Sequence, residues 1–200
     1  MDNIDKLPDD LKRWITPFIV YDENTTIYKR NPCLIEQGGK SRVLARTDGA
    51  MVVIDHPFAA SLPAAPEALA AQVAQLLAAD GARTLTVELR ALQLWCGRAL
   101  ATAAEFDNDG GGPWFAPRTR SCTIFDARID GNLLAHALAG FDGEGAVQIS
   151  YLGPQERIVF ALETGAVALM PLKAVARLDE TGLHNPWDKE EADAEPEMRA

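Results

Sequence analysis

The chain has 200 residues, 48% of them hydrophobic and 24% charged, with 15 Gly and 12 Pro; this is the composition of one globular domain, or two small ones, and excludes a fibrous or wholly disordered protein. No apolar run approaches the roughly 18–20 residues of a membrane span, the N-terminus MDNIDKLPDD lacks the basic flank and apolar core of a secretory signal, and three cysteines (Cys33, Cys96, Cys122) fit neither a disulfide framework nor a zinc site, so a cytoplasmic protein is expected. Of the formal net charge of −10, residues 179–200 hold eight acids and two bases, which leaves −4 on residues 1–178; the acidity is mostly a solvating, disordered tail, and the body lacks the excess of bases that marks a general polyanion binder.

The first predicted helix opens at Pro8, with Asp9 and Asp10 in the first turn, where the helix dipole favours anions. Leu11, Trp14, Ile15 and Phe18 fall on one face, and Pro17 ends or kinks the helix. Short strands follow at 33–36, 42–46 and 50–54, separated by Gly38-Gly39 and Thr47-Asp48-Gly49, and read as an antiparallel meander. A Pro/Ala connector over 57–66 leads to a second helix with Leu69, Val73, Leu76 and Leu77 on one face, closed by Gly81. Leu85, Val87 and Leu89 then alternate with polar residues as a strand, which ALQLWC either continues or pairs with. Residues 107–118, rich in Gly, Pro and acids, read as a flexible loop or insertion.

The last block is a strand over 122–129, Asp130 as helix cap, a helix over 131–139 stopped by Gly140, and strands over 146–152, 157–163 and 166–170. A helix followed by a meander thus recurs about three times, at 8–54, 67–97 and 131–170. The predicted class is α+β, with repeated helix-plus-antiparallel-meander units in a single domain over 1–178, an insertion around 57–120 and the acidic tail over 179–200.

Two stretches resemble the DNA sliding clamps, processivity rings built from repeated helix-plus-meander units. The segment NPCLIEQGGKSRVLARTDGAMVVI (31–54) resembles the clamp pattern of strand, turn, strand and an A-T-D-G-type turn, here Arg46-Thr47-Asp48-Gly49. The segment over 124–174 resembles the closing half of a bacterial clamp, whose M-P-M ending reads Met170-Pro171-Leu172 here. Together they cover about 75 residues. The long Gly/Pro loop and the acidic tail depart from the family pattern.

The resemblance implies a non-enzymatic binding protein with no cofactor. One form is a DNA-sliding module with duplex DNA and replication-type proteins as partners, closed into a ring by several copies; the alternative is a clamp-fold interaction scaffold without DNA binding. A clamp's inner helices present cations to phosphates. Lys6, Lys12 and Arg13 on or before the first helix, and Lys40 and Arg42 on the first meander, are the candidates; Arg118 and Arg120, near Trp114 and Phe115, lie in the loop. The helix over 131–139 offers only His136. Clamps also bind partner peptides beside the C-terminal strand, which carries over to Met170, Pro171 and Leu172, where Met gives adaptable apolar contact.

Enzyme readings have thinner support. No phosphate loop, nucleophile elbow or HExxH occurs. Asp55-His56 is a candidate acid/base pair, although neighbours on a strand point to opposite faces. Cys96 and Cys122 lie in strand-like runs as small hydrophobes, and Glu105, Asp107 and Asp109 lack the later glutamate of a calcium loop. No metal centre is expected.

Overall fold

The computed structural model describes residues 6–19, 31–47, 49–78, 83–97, 121–125, 127–141, 144–153, 156–171 and 183–184. The flexible-loop reading of 107–118, Asp48, Leu172 and most of the acidic tail lie outside them.

Helix α1 (Asp9–Ile15) continues as a 3-10 turn over Thr16–Phe18, with Pro17 in its first positions. Leu11, Ile15 and Phe18 are fully buried, as the predicted stripe requires. The strands β1 (Cys33–Gln37), β2 (Lys40–Arg46) and β3 (Ala50–Asp55) form the first meander. Gly38 and Gly39 make the β1–β2 turn with φ of 58° and 74°, the two left-handed positions of a tight hairpin. After a 3-10 turn over Pro57–Ser61 come α2 (Glu67–Ala78) and β4 (Arg83–Glu88), then a helix α3 over 89–97. The hairpin β5 (Ser121–Ile124) and β6 (Ala127–Asp130) leads into α4 (Gly131–Ala139). The second meander is β7 (Ala146–Tyr151), β8 (Ile158–Leu162) and β9 (Gly165–Leu169), and β10 (Leu183–His184) closes the described chain.

The class is α+β. Seven strands form one antiparallel sheet in the order β1-β2-β3-β9-β8-β7-β4, and each of its neighbouring pairs is antiparallel. The order reads as two meanders placed back to back, β1-β2-β3 and β7-β8-β9, whose last strands pair with Val53 opposite Ala166 and Ile54 opposite Gly165. Each meander follows its own helix, α1 or α4, and the two helices touch. Alternation along the strands sends Val43, Ala45, Val52, Ile54, Ile149, Phe160 and Val167 into one core with α1, α3 and α4. The opposite parity, Leu44, Met51, Val53, Val159 and Ala168, packs under Leu69 and Val73 of α2. Central β3 is therefore buried on both faces and reads as a continuous apolar run, while β7 alternates exposed and buried at its start, because α2 covers only part of that face.

Three expectations are corrected. The unit at 67–97 does not exist as a repeat: α2 lies on the face opposite α1 and α4, and β4 adds one strand at the sheet edge beside β7. The segment 91–96 is helical, with Leu89, Leu92, Trp95 and Cys96 buried at helical spacing, so Cys96 is a helix residue; the apolar period of three to four wins over the short-range strand pattern. The strand over 122–129 breaks at Phe125, whose φ of 53° reverses the chain into the β5–β6 hairpin. That reversal is held by stacking of Phe125 on Tyr151 at 5.6 Å and by Arg83 over the Phe125 ring at 4.9 Å. In the acidic segment, Leu183 and His184 pair in parallel with Cys122 and Thr123.

Candidate functional site

The two stretches that carry the clamp resemblance converge at one end of the sheet. The Thr47 amide donates to the Ala50 carbonyl at 2.8 Å, and the Ala50 amide donates to Thr47 Oγ1 at 3.0 Å, which closes the β2–β3 turn. One rung beyond the β3–β9 pairing, the Met170 amide donates to the Gly49 carbonyl at 2.7 Å. Met170 and Pro171 are half-buried there. Arg46, at the end of β2, has its Nε buried without a hydrogen-bond partner among the described residues. Nearby Cys33 is buried at the start of β1, and burial pushes its thiol up to about 11 against the pull of Arg46. The Cys96 thiol is also raised, by its contact with Cys122 and by burial. All three cysteines are free and buried, as small core hydrophobes are.

At the other end of the sheet, α1, α4 and the end of β3 enclose a cleft of about 620 Å³. Pro8 at the N-cap, with ψ of 144°, sets Asp9 and Asp10 in the first turn of α1. His56 follows β3 in extended backbone, and its Nδ1 accepts the Phe58 amide at 3.1 Å. That bond assigns the ring proton to Nε2, which faces Asp10 Oδ2 at 3.4 Å. The Leu11 amide, and then His56, hold the exposed Asp10 carboxyl below the usual carboxylate range. Trp14 donates its indole N–H to the Ala137 carbonyl at 3.0 Å and meets Phe141 edge to face at 4.9 Å. A Cβ on Gly140 would lie 1.7 Å from the Trp14 ring, so only glycine admits the indole. His136 lines the cleft from α4.

Asp55 and His56 do not form the dyad considered from sequence. Asp55 turns to the α2 face, where Arg42 Nε and Lys40 Nζ, the latter at 3.0 Å, both donate to it; His56 turns to α1. Among the described residues the His56 ring bonds to the Phe58 amide and to Asp10, and no hydroxyl or thiol bonds to it. No cluster of three or more His, Cys, Asp or Glu side chains able to hold a metal occurs among the described residues, and no described helix is long and apolar enough to cross a membrane.

The five basic residues proposed for DNA do not share one surface. Lys40 and Arg42 are committed to Asp55 on the α2 face, whereas Lys6 and Lys12 belong to α1 and the turn before it, on the other side of the sheet; Arg13 is on α1. Sequence reasoning located His56, but it missed Asp10 and Trp14 as its companions. The local signal for Asp10 was fully explained by the helix dipole, and its approach to His56 is set only by the packing of α1 on the sheet.

No protein-family model matches the chain, and no curated protein does. Among solved structures, the chain is similar to a β sliding clamp of Caulobacter crescentus, at 12% identity and TM-score 0.49 over 83% of this chain and 64% of that one. It is also similar to the DNA polymerase III β subunit of Borrelia burgdorferi, at 9% identity and TM-score 0.49 over 83% of this chain and 60% of that one. The chain thus spans less than two thirds of the length of these clamps.

Proposed function

We propose that this chain is a clamp-type module that acts by binding a polypeptide partner at the sheet end where the Thr47–Gly49 turn meets Met170 and Pro171, with Leu172 next in sequence, and with no chemical step of its own. The observation that carries this reading is the Met170–Gly49 hydrogen bond at 2.7 Å: it joins two motifs, distant in sequence, that resemble the same family. Half-buried Met and Pro side chains at a strand end offer adaptable apolar contact. Peptides selected from a random library on the immobilised full chain are expected to lose binding to the Met170→Glu variant. Selected peptides that bind wild type and variant equally would place the contact elsewhere.

A second reading, retention on duplex DNA as a ring of several copies, draws on Lys6, Lys12 and Arg13, which cluster on and just before α1. The charge of the paired helices speaks against it, since α1 also carries Asp9 and Asp10 and α4 carries no Lys or Arg. A phosphate-facing surface needs uncompensated cations and shows steep salt dependence. Fluorescence anisotropy with a labelled duplex at low and moderate salt, beside solution mass by light scattering, separates the two readings. Salt-sensitive binding lost in the Lys12→Glu, Arg13→Glu double variant, together with a ring-sized oligomer, would favour DNA.

A further inference from the structure

We propose that the cleft between α1 and α4 is a binding site for a guanidinium group, seated on the Trp14 ring and held by the Asp10 carboxylate. Its volume of about 620 Å³ falls within the usual range of small-ligand sites, which combine apolar walls with a few oriented polar groups. The apolar walls are Trp14 and Phe141. Trp14 cannot swing out without breaking its bond to the Ala137 carbonyl or leaving the space that Gly140 keeps open, so the indole is a fixed platform of the kind that attracts a flat cation.

The polar groups select the sign of the ligand. No Lys or Arg is among the described residues lining the cleft, whose other basic groups are the His56 and His136 imidazoles, so a phosphate or carboxylate finds no permanent countercharge there and meets the Asp10 carboxylate instead. The Asp55 carboxylate is already engaged by Lys40 and Arg42, which leaves Asp10, exposed and bonded at one oxygen by the His56 imidazole, as the acid of the lining open to a ligand. Asp10 remains ionised because the Leu11 amide and His56 stabilise its charged form. His56 bonds to Oδ2, and the carboxylate keeps acceptor capacity on its second oxygen for a forked donor. Arginine is thus favoured over lysine, since a planar guanidinium stacks on the ring and bonds to the carboxylate at once.

The test titrates the full chain with N-acetyl-L-arginine methylamide and follows the Trp14 indole N–H and His56 ring signals by NMR, with butylammonium and inorganic phosphate as comparison probes. The expected result is a saturable shift with the arginine probe, a weaker one with butylammonium and none with phosphate. Asp10→Asn, a change at an exposed side chain, should cut affinity about ten-fold or more, while Asp9→Asn should leave it unchanged. Absence of a saturable shift with the arginine probe, tighter binding of phosphate, or an unchanged affinity in Asp10→Asn would each overturn the proposal. The Met170 end of the sheet plays no part in this test, so its outcome is independent of the peptide-binding reading.

Discussion

The two helix–meander units share a topology but not a chemistry. In the first, α1 reads DDLKRWI and has no side-chain cap; in the second, α4 reads GNLLAHALA and is capped by Asp130, whose Oδ1 accepts the Leu133 amide at 3.0 Å. The difference follows from what surrounds each helix. α4 is covered by α1, by the β5–β6 hairpin and by α3, whose Gln93 amide donates to the Leu138 carbonyl at 2.8 Å. Four described α1 residues, Asp9, Asp10, Lys12 and Trp14, stay wholly or partly in contact with water or the cleft. The shared fold is thus specified by apolar positions on one helical stripe and on alternate strand residues, and the positions left over are free to carry binding chemistry. In the first unit those positions hold the acid and the indole that line the cleft.

The units share one core on the α1, α3 and α4 face of the sheet, which is more fully covered than the α2 face and should be the more sensitive. Leu134 is fully buried among α1, the sheet and the hairpin, so Leu134→Ala should cost about 4 kcal/mol in urea unfolding, near the upper part of the range for such truncations. Leu69 of α2, in the thinner core and 8% exposed, should cost about 2 kcal/mol on the same change. Equal losses would mean that the two faces of the sheet are equally well packed.

The seam between the units is the next test. Gly165 faces Ile54 across β3 and β9, and a Cβ there would lie 2.2 Å from the Val53 carbonyl oxygen. Backbone cannot yield as a side chain can, so Gly165→Ala should cost about 3 kcal/mol, at the high end for overpacking. A loss below about 1 kcal/mol would show that β9 shifts easily against β3, and the two units would then be a loose pair.

How much of this was legible depended on the range of the signal. The meander over 33–55, the helix stripe of Leu11, Ile15 and Phe18, and the Asp130 cap are local patterns, and each stands where the sequence puts it. Segment 91–96 misled because LQLW mimics strand alternation over four residues, and only Leu89, Leu92 and Cys96 together reveal the helical period. The third repeat misled for a different reason. Helix, turn and strand recur in 67–88 as in 131–151, yet which face of the sheet a helix covers is set by parity along the partner strands, which a one-dimensional pattern does not contain. The cleft was legible in one residue only, because Asp10, Trp14 and His136 come to the same cleft as His56 through the docking of two helices.

The caps supply a smaller contrast between the units. Asp130→Ala removes an acceptor from α4 and should cost about 1 kcal/mol, the usual value of an N-cap. Pro8 offers α1 no such bond, so Pro8→Ala should leave capping unchanged. A cost for Asp130→Ala indistinguishable from zero in urea unfolding would mean that packing alone fixes the start of α4.

The smallest effect concerns the charges at the end of the first meander. Lys40 is 54% exposed and Asp55 27%, so screening by water leaves this pair worth about 0.5 kcal/mol. Arg42 is 13% exposed and also bonds to Gln37 Oε1 at 2.9 Å and to the Glu163 carbonyl at 3.2 Å, which ties the first unit to the β8–β9 turn of the second. Lys40→Met should therefore be nearly neutral to stability, and Arg42→Met should cost more. The same two variants separate structure from binding: Lys40 and Arg42 both donate to Asp55, which leaves a single positive charge among the three, so neither change should alter duplex affinity by much at moderate salt. A Lys40→Met variant of unchanged stability that lost DNA affinity would show that the Lys40–Asp55 pair opens to bind, and would move the first meander from the scaffold to the interface.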